Sequence, residues 1–178
     1  MSKPSWLEQR GGASWPDPSE ELNPFIHYRR LLASWQRANK AGWTDADFVQ
    51  TVRSIDAAVA EVDGTGFVRT PAAWSAGLSG DGATARVFAK DETANVGGSH
   101  KARHLMGLLL HLAVDAVSTD TRLAISSCGN AALGAATVAR AAGRPIDVFI
   151  PTWADPSVVE VLHKLDATIH VCERRDGE

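Results

Sequence analysis

The sequence predicts an α/β chain: an open parallel sheet flanked by helices, preceded by a helical segment. Three observations carry this expectation. From residue 84 onward, short apolar runs alternate with helix-period stretches, as they do when each strand reaches its parallel neighbour over a helix. The runs Leu123-Ala124-Ile125 and Ile146 to Ile150 are too short for helices. Before Thr70-Pro71, by contrast, only capped helical periods occur.

Residues 1–22 are rich in Ser, Pro, Gly and Glu without periodicity and read as an irregular tail, with Trp6 and Trp15 available to pin it to the surface. Residues 23–83 form the helical segment. Asn23-Pro24 reads as an N-cap followed by proline at the first helical position. Phe25, Tyr28, Leu32 and Trp35 follow at helical spacing, so one helix is expected to run on to a stop at Gly42. Thr44 with Asp47 is a variant capping box. It opens a helix whose face is Phe48, Val52, Ile55, Val59 and Val62, closed by Asp63-Gly64. Both helices are expected to pack as a cap without chemistry of their own.

Residues 84–178 form the α/β unit. Arg86 to Ala89 is a strand, and Leu105, Leu108, Leu109, Leu112 and Ala116 make a helical stripe. Leu123 to Ile125 is a strand, and Asn130 to Ala142 is an alanine-rich helix closed by Gly143. Ile146 to Ile150 is a strand, Asp155-Pro156 opens a helix through Leu165, and Thr168 to Cys172 is the last strand. Such alternation implies a sheet covered on both faces.

Composition excludes several function classes. With 44% hydrophobic and 22% charged residues and a net charge of −3, the chain has neither a nucleic-acid footprint nor a polybasic membrane surface. Its two cysteines make no disulfide framework and no metal cluster, which favours a reducing compartment. Met1 to Glu20 has no apolar signal region, and Leu105 to Val114, interrupted by His111, is too short to span a bilayer. A cytoplasmic protein with no nucleic-acid or membrane partner is expected.

Chemistry concentrates in two stretches. Lys90 to Arg103 (KDETANVGGSHKAR) leaves a strand, crosses a glycine turn and delivers Lys101 onto the opening of an apolar helix. A lysine aimed and partly desolvated there suits an amine nucleophile, whereas an ordinary helix-start lysine reaches water over its stem. Ser126-Ser127-Cys128-Gly129-Asn130-Ala131 follows a strand and heads a helix, where free backbone N–H groups cradle an anion. By itself that stretch also reads as a strand-to-helix turn with an Asn cap. His100 and His104 share the spacing of a two-histidine metal pair, but no third ligand follows at sensible spacing, so no metal is expected. Glu92 and Arg103 read as ion-pair partners around the lysine.

The order K-x-E, turn, G-S-H-K-x-R, then S-x-G-N, resembles the pyridoxal-phosphate (PLP) enzymes of the tryptophan synthase β-subunit fold, nearest the threonine synthase and threonine dehydratase branch. The resemblance implies that Lys101 carries PLP and that His100 lies near the cofactor. It implies too that Asn130 bonds the cofactor's ring oxygen, and that Ser127, Cys128, Gly129 and Ala131 hold the carboxylate of a small amino-acid substrate. Cys128 departs from the Ser or Thr of relatives and reads either as a reactive thiol or as a small packed residue. The implied activity is β- or γ-elimination or replacement at a small amino acid, and the resemblance also implies a homodimer. In that family a larger second domain follows, bringing a glycine-rich phosphate cup and a partner for the pyridine nitrogen. Neither occurs here, so the chain is expected to be an N-terminal portion. The alternative is a non-catalytic remnant that binds or assembles.

Overall fold

Helix α1 (Pro24–His27) begins where its cap is written: Asn23 Oδ1 accepts the N–H groups of Phe25 at 2.8 Å and Ile26 at 3.4 Å. The computed structural model describes residues 15–17, 19–79 and 86–173, so Trp6 lies outside the described residues. The single helix expected from Phe25 through Trp35 is broken. A 3₁₀ turn occupies Arg29–Leu31, Leu32 is extended (φ −81°, ψ 135°), and only then does α2 (Ala33–Lys40) start. The cause is Arg29. Its Nη1 donates to the Ile26 carbonyl at 2.8 Å, and its Nε and Nη2 fork onto the Asp45 carboxylate, both at 2.7 Å. That pairing takes an α1 carbonyl out of the helical ladder and ties the break to the start of α3 (Asp45–Asp63).

Helix α3 opens with the expected box: Thr44 Oγ1 accepts the Asp47 N–H at 3.2 Å, and Asp47 Oδ2 accepts the Thr44 N–H at 2.8 Å. It ends at Gly64, which adopts the left-handed conformation (φ 84°).

The strand expected at 86–89 forms as β2 (Val87–Lys90), but not within the parallel sheet. It pairs antiparallel with β1 (Ala72–Ser75), which is followed by the short α4 (Ala76–Ser79). Side-chain stacking favours this partner: Trp74 and Phe88 lie opposite each other, edge to face at 5.1 Å, and the Arg86 guanidinium sits 4.1 Å above the Trp74 ring. A 3₁₀ turn (Val96–Gly98) then leads into α5 (Lys101–Val114).

The rest of the described chain alternates as expected: β3 (Leu123–Ser126), α6 (Asn130–Ala141), β4 (Ile146–Pro151), α7 (Pro156–Lys164) and β5 (Thr168–Cys172). The three strands are parallel in the order β3-β4-β5, with Leu123 opposite Ile146 and Asp147 opposite Thr168. Ile146, Val148 and Ile150 bury one face against Ala132, Ala135, Ala136 and Ala139 of α6 and Leu162 of α7.

The second face of the sheet is not covered by the described residues, contrary to expectation. Both crossovers step the same way across the sheet, so right-handed connections place α6 and α7 on one side. The open side carries Asp147, which accepts from His170 Nε2 at 2.9 Å and Arg122 Nη1 at 3.1 Å, and Phe149, which stacks on His170 at 4.7 Å. A second core joins Phe25, Val52, Val59 and Phe67 to Ala102, Met106, Leu110 and Val138, clamping the N-terminal helices onto α5 and α6.

Candidate functional site

The turn before Lys101 needs its two glycines, because Gly97 (φ 64°) and Gly98 (φ 63°) both lie in the left-handed region. Asn95, only 2% exposed, fixes the turn from within: its Nδ2 donates to the Ser99 carbonyl at 2.6 Å, and its own carbonyl accepts the Gly98 N–H at 2.8 Å. The buried Ser99 presents Oγ to the Lys101 N–H at 3.3 Å, just ahead of the cap position His100 of α5. From outside, Asp63 Oδ1 accepts the Gly97 N–H at 3.0 Å. The expected Glu92–Arg103 pair forms, with Arg103 Nε 2.7 Å from Glu92 Oε2. Thr70 Oγ1 donates to Glu92 Oε1 at 2.6 Å, and Lys90 Nζ lies 2.9 Å from it. Burial pushes the Glu92 carboxyl up, but hydrogen bonds from Arg103, Thr70 and Lys90 outweigh this and hold it down at about 2.

In the second stretch the chain still follows β4 at Ser127, whose N–H donates to the Phe149 carbonyl at 3.1 Å. It leaves the sheet through Cys128 and Gly129, and Asn130 becomes the first residue of α6. Asn130 is therefore not a cap. Gly129 occupies the cap position, offers no side chain, and leaves the first-turn N–H groups without a side-chain acceptor. The Asn130 side chain is exposed and makes no hydrogen bond among the described residues.

Helices α5 and α6 meet at Ala102 and Gly134, so closely that a Cβ on Gly134 would lie 3.1 Å from Ala102 N and Cα. Ala102 follows Lys101, and Gly134 lies one turn after Asn130, so two helix starts are held together with their positive dipole ends. A cavity of about 490 Å³ beside them is lined by Lys101, Leu105, Leu108, Ile125, Ala131 and Ala135 among others. The structure thus brings Lys101 and Ala131 onto one cavity. Ser127 and Cys128 line another, of about 330 Å³, with Phe149, Trp153 and Cys172. His100 and Asn130 are exposed and line neither.

Two expectations need correction. Lys101 is exposed rather than partly desolvated, although it lines the largely apolar cavity. Cys128 is an exposed thiol, not a packed residue. Among the described residues no group of three or more His, Cys, Asp or Glu is placed to hold a metal, and no helix is long and apolar enough to cross a membrane. Sequence reasoning missed the bond from Asp63 to the turn and the close approach at Gly134. Only Asp63 carried a local signal, as an acid at the wrong end of a helix.

Residues 65–178 match the family model described as pyridoxal-phosphate dependent enzyme. The chain belongs to this family. PLP is the cofactor of the PLP-dependent enzymes, and their fold recurs among solved structures. A hydrogen sulfide-producing enzyme from Fusobacterium nucleatum is 16% identical with a TM-score of 0.54, covering 65% of this chain and 36% of its own. O-ureido-L-serine synthase is 18% identical with a TM-score of 0.54, covering 65% and 35%. Threonine deaminase isoform 2 from Solanum lycopersicum is 18% identical with a TM-score of 0.51, covering 75% and 35%. The chain spans about a third of the length of these structures. No curated protein matches its sequence. The residues present fit PLP in two respects: a rigidly based lysine heads one helix, and an unengaged amide with uncapped N–H groups heads its neighbour.

Proposed function

We propose that this chain is the cofactor-lysine portion of a PLP-dependent lyase or synthase. The substrate is a small amino acid, and the reaction is elimination or replacement at the β- or γ-carbon of a hydroxy or phospho-hydroxy compound. The observation that carries this reading is the junction of two helix starts at Ala102 and Gly134, one headed by Lys101 and the other by the Ser127–Ala131 loop. Two structural neighbours, one named a deaminase and one a synthase, support the class.

When bound, PLP supplies the electron sink that makes the substrate's α-proton removable. Lys101 Nζ would hold the cofactor and would be the base placed to take the α-proton. The Asn130 amide, which heads α6 without a hydrogen bond among the described residues, would donate to the cofactor, and His100 would lie near it. The Ser127 hydroxyl, the backbone N–H groups of Gly129 and Ala131, and the Cys128 segment grip the substrate carboxylate, helped by the positive end of α6. A second copy of the chain is the proposed assembly partner.

Borohydride trapping tests the reading. The 178-residue chain is incubated with millimolar PLP, reduced and mapped by peptide mass. The expected label is concentrated on Lys101 and abolished in Lys101→Ala. Because Lys101 is exposed, saturation is expected only at high PLP. Label spread evenly over Lys40, Lys90, Lys101 and Lys164 would sink the enzyme reading and favour the non-catalytic module.

A further inference from the structure

We infer that Asp63 is a positioning residue for Lys101, a tether by which the N-terminal helices fix the turn that aims the cofactor lysine. This rests on the reading of Lys101 given above. Asp63 is the last residue of α3, where a carboxylate faces the negative end of its own helix, and no basic residue in that last turn offsets it. The helix end does not need it, because Gly64 supplies the left-handed cap and its N–H reaches the Ala60 carbonyl at 2.9 Å. A side chain so unfavourably placed for its own helix is instead engaged 34 positions away, where Asp63 Oδ1 accepts the Gly97 N–H at 3.0 Å.

Both ends of this bond are rigidly held. Helix α3 is anchored through Phe48, Val52 and Val59, all essentially fully buried. Gly97 leads to Lys101 through bonds that leave little slack: Gly98 N–H to the Asn95 carbonyl, Asn95 Nδ2 to the Ser99 carbonyl, and Lys101 N–H to Ser99 Oγ. Gly97 also packs against α6, since a Cβ there would lie 3.7 Å from Gly134 Cα. Displacing Gly97 therefore moves the base of Lys101 relative to the α6 loop. The helical segment, read from sequence as a cap without chemistry, acquires a role in aiming the amine.

The test compares Asp63→Ala with Asp63→Asn, which keeps Oδ1 as an acceptor. Amide hydrogen exchange of the 178-residue chain reads the tether, and PLP trapping by borohydride reads its consequence at Lys101. In Asp63→Ala, exchange at residues 96–101 is expected to quicken about fivefold, the value of one lost hydrogen bond, with β4 and mid-α3 amides unchanged. The Lys101 share of the label falls with it. Asp63→Asn keeps both near the parent values. The tether is refuted if Asp63→Ala leaves 96–101 protected, or if both variants lose protection throughout α3, which marks a merely structural residue. Quickened exchange with an unchanged Lys101 share refutes the positioning role. A parent chain without label on Lys101 overturns the cofactor reading instead, and exchange alone then decides the tether.

Discussion

Adding one methyl group to Gly134 tests the junction on which the site is built. Its Cβ would lie 3.1 Å from the N and Cα of Ala102 and 3.4 Å from its Cβ, all atoms that no rotamer change can move. Overpacking of this kind costs about 1–3 kcal/mol, while replacing a helical glycine by alanine gains about 1 kcal/mol. The net change for Gly134→Ala is therefore a loss of up to about 2 kcal/mol. Gly107→Ala supplies the reference, because Gly107 also lies inside a helix and a Cβ there meets nothing within 4 Å. That variant should gain the propensity term alone. The two midpoints in urea should then differ by about 0.5–1.5 M, for a slope of about 2 kcal/mol per M. Should Gly134→Ala stabilise as much as Gly107→Ala, the helices do not meet at Ala102 and the site as described is wrong.

Further outcomes follow from named contacts. Glu92 is held at about 2, below its ordinary 4.5, so its stabilising contribution is complete above 4.5 and drains away as pH falls towards 2. After solvent screening this amounts to about 1–2 kcal/mol, and Glu92→Gln should flatten acid unfolding in that window when followed by circular dichroism. Thr44→Ala removes half of the capping box of α3 and should cost about 1 kcal/mol in urea unfolding. Cys128 and Cys172 are both exposed, so both should react with Ellman's reagent without denaturant, and Cys128→Ser should halve the signal.

What could be read from the sequence depended on how local each cause was. The Lys101 turn was legible because two glycines, a serine and the lysine fall within the five positions 97–101, and the bonds among Asn95, Ser99 and Lys101 span only a few residues. The break in the first helix was not, because it depends on Arg29 reaching Asp45, and the pattern Phe25, Tyr28, Leu32 satisfies a helix equally well. Gly134 was hidden by its setting. An alanine-rich helix tolerates a glycine, and only the neighbouring helix shows why the side chain must be absent. The pairing of β2 with β1 was missed for a similar reason, since apolar alternation reveals a strand but not its neighbour.

The sheet, covered on one face among the described residues, shows where a fold rule outweighed better local information. Parallel sheets are usually buried on both faces, and their strands then read as continuous apolar runs. The strand Ile146-Asp147-Val148-Phe149-Ile150 does not read that way: Ile146, Val148 and Ile150 point into the core, while Asp147 and Phe149 point away from it. Leu123-Ala124-Ile125-Ser126 repeats the alternation, with the larger apolar residues on the more buried side. Period two therefore matches a sheet that the described residues cover on one face. The consequence reaches the site. The Ser127–Ala131 loop leaves the sheet on a single backbone bond to Phe149, whose ring is held on the open side by stacking on His170. The loop's footing thus depends on α6 and the ladder of β4, and Lys101 depends on α5 and its turn. The Ala102–Gly134 contact joins these two supports at the heads of their helices.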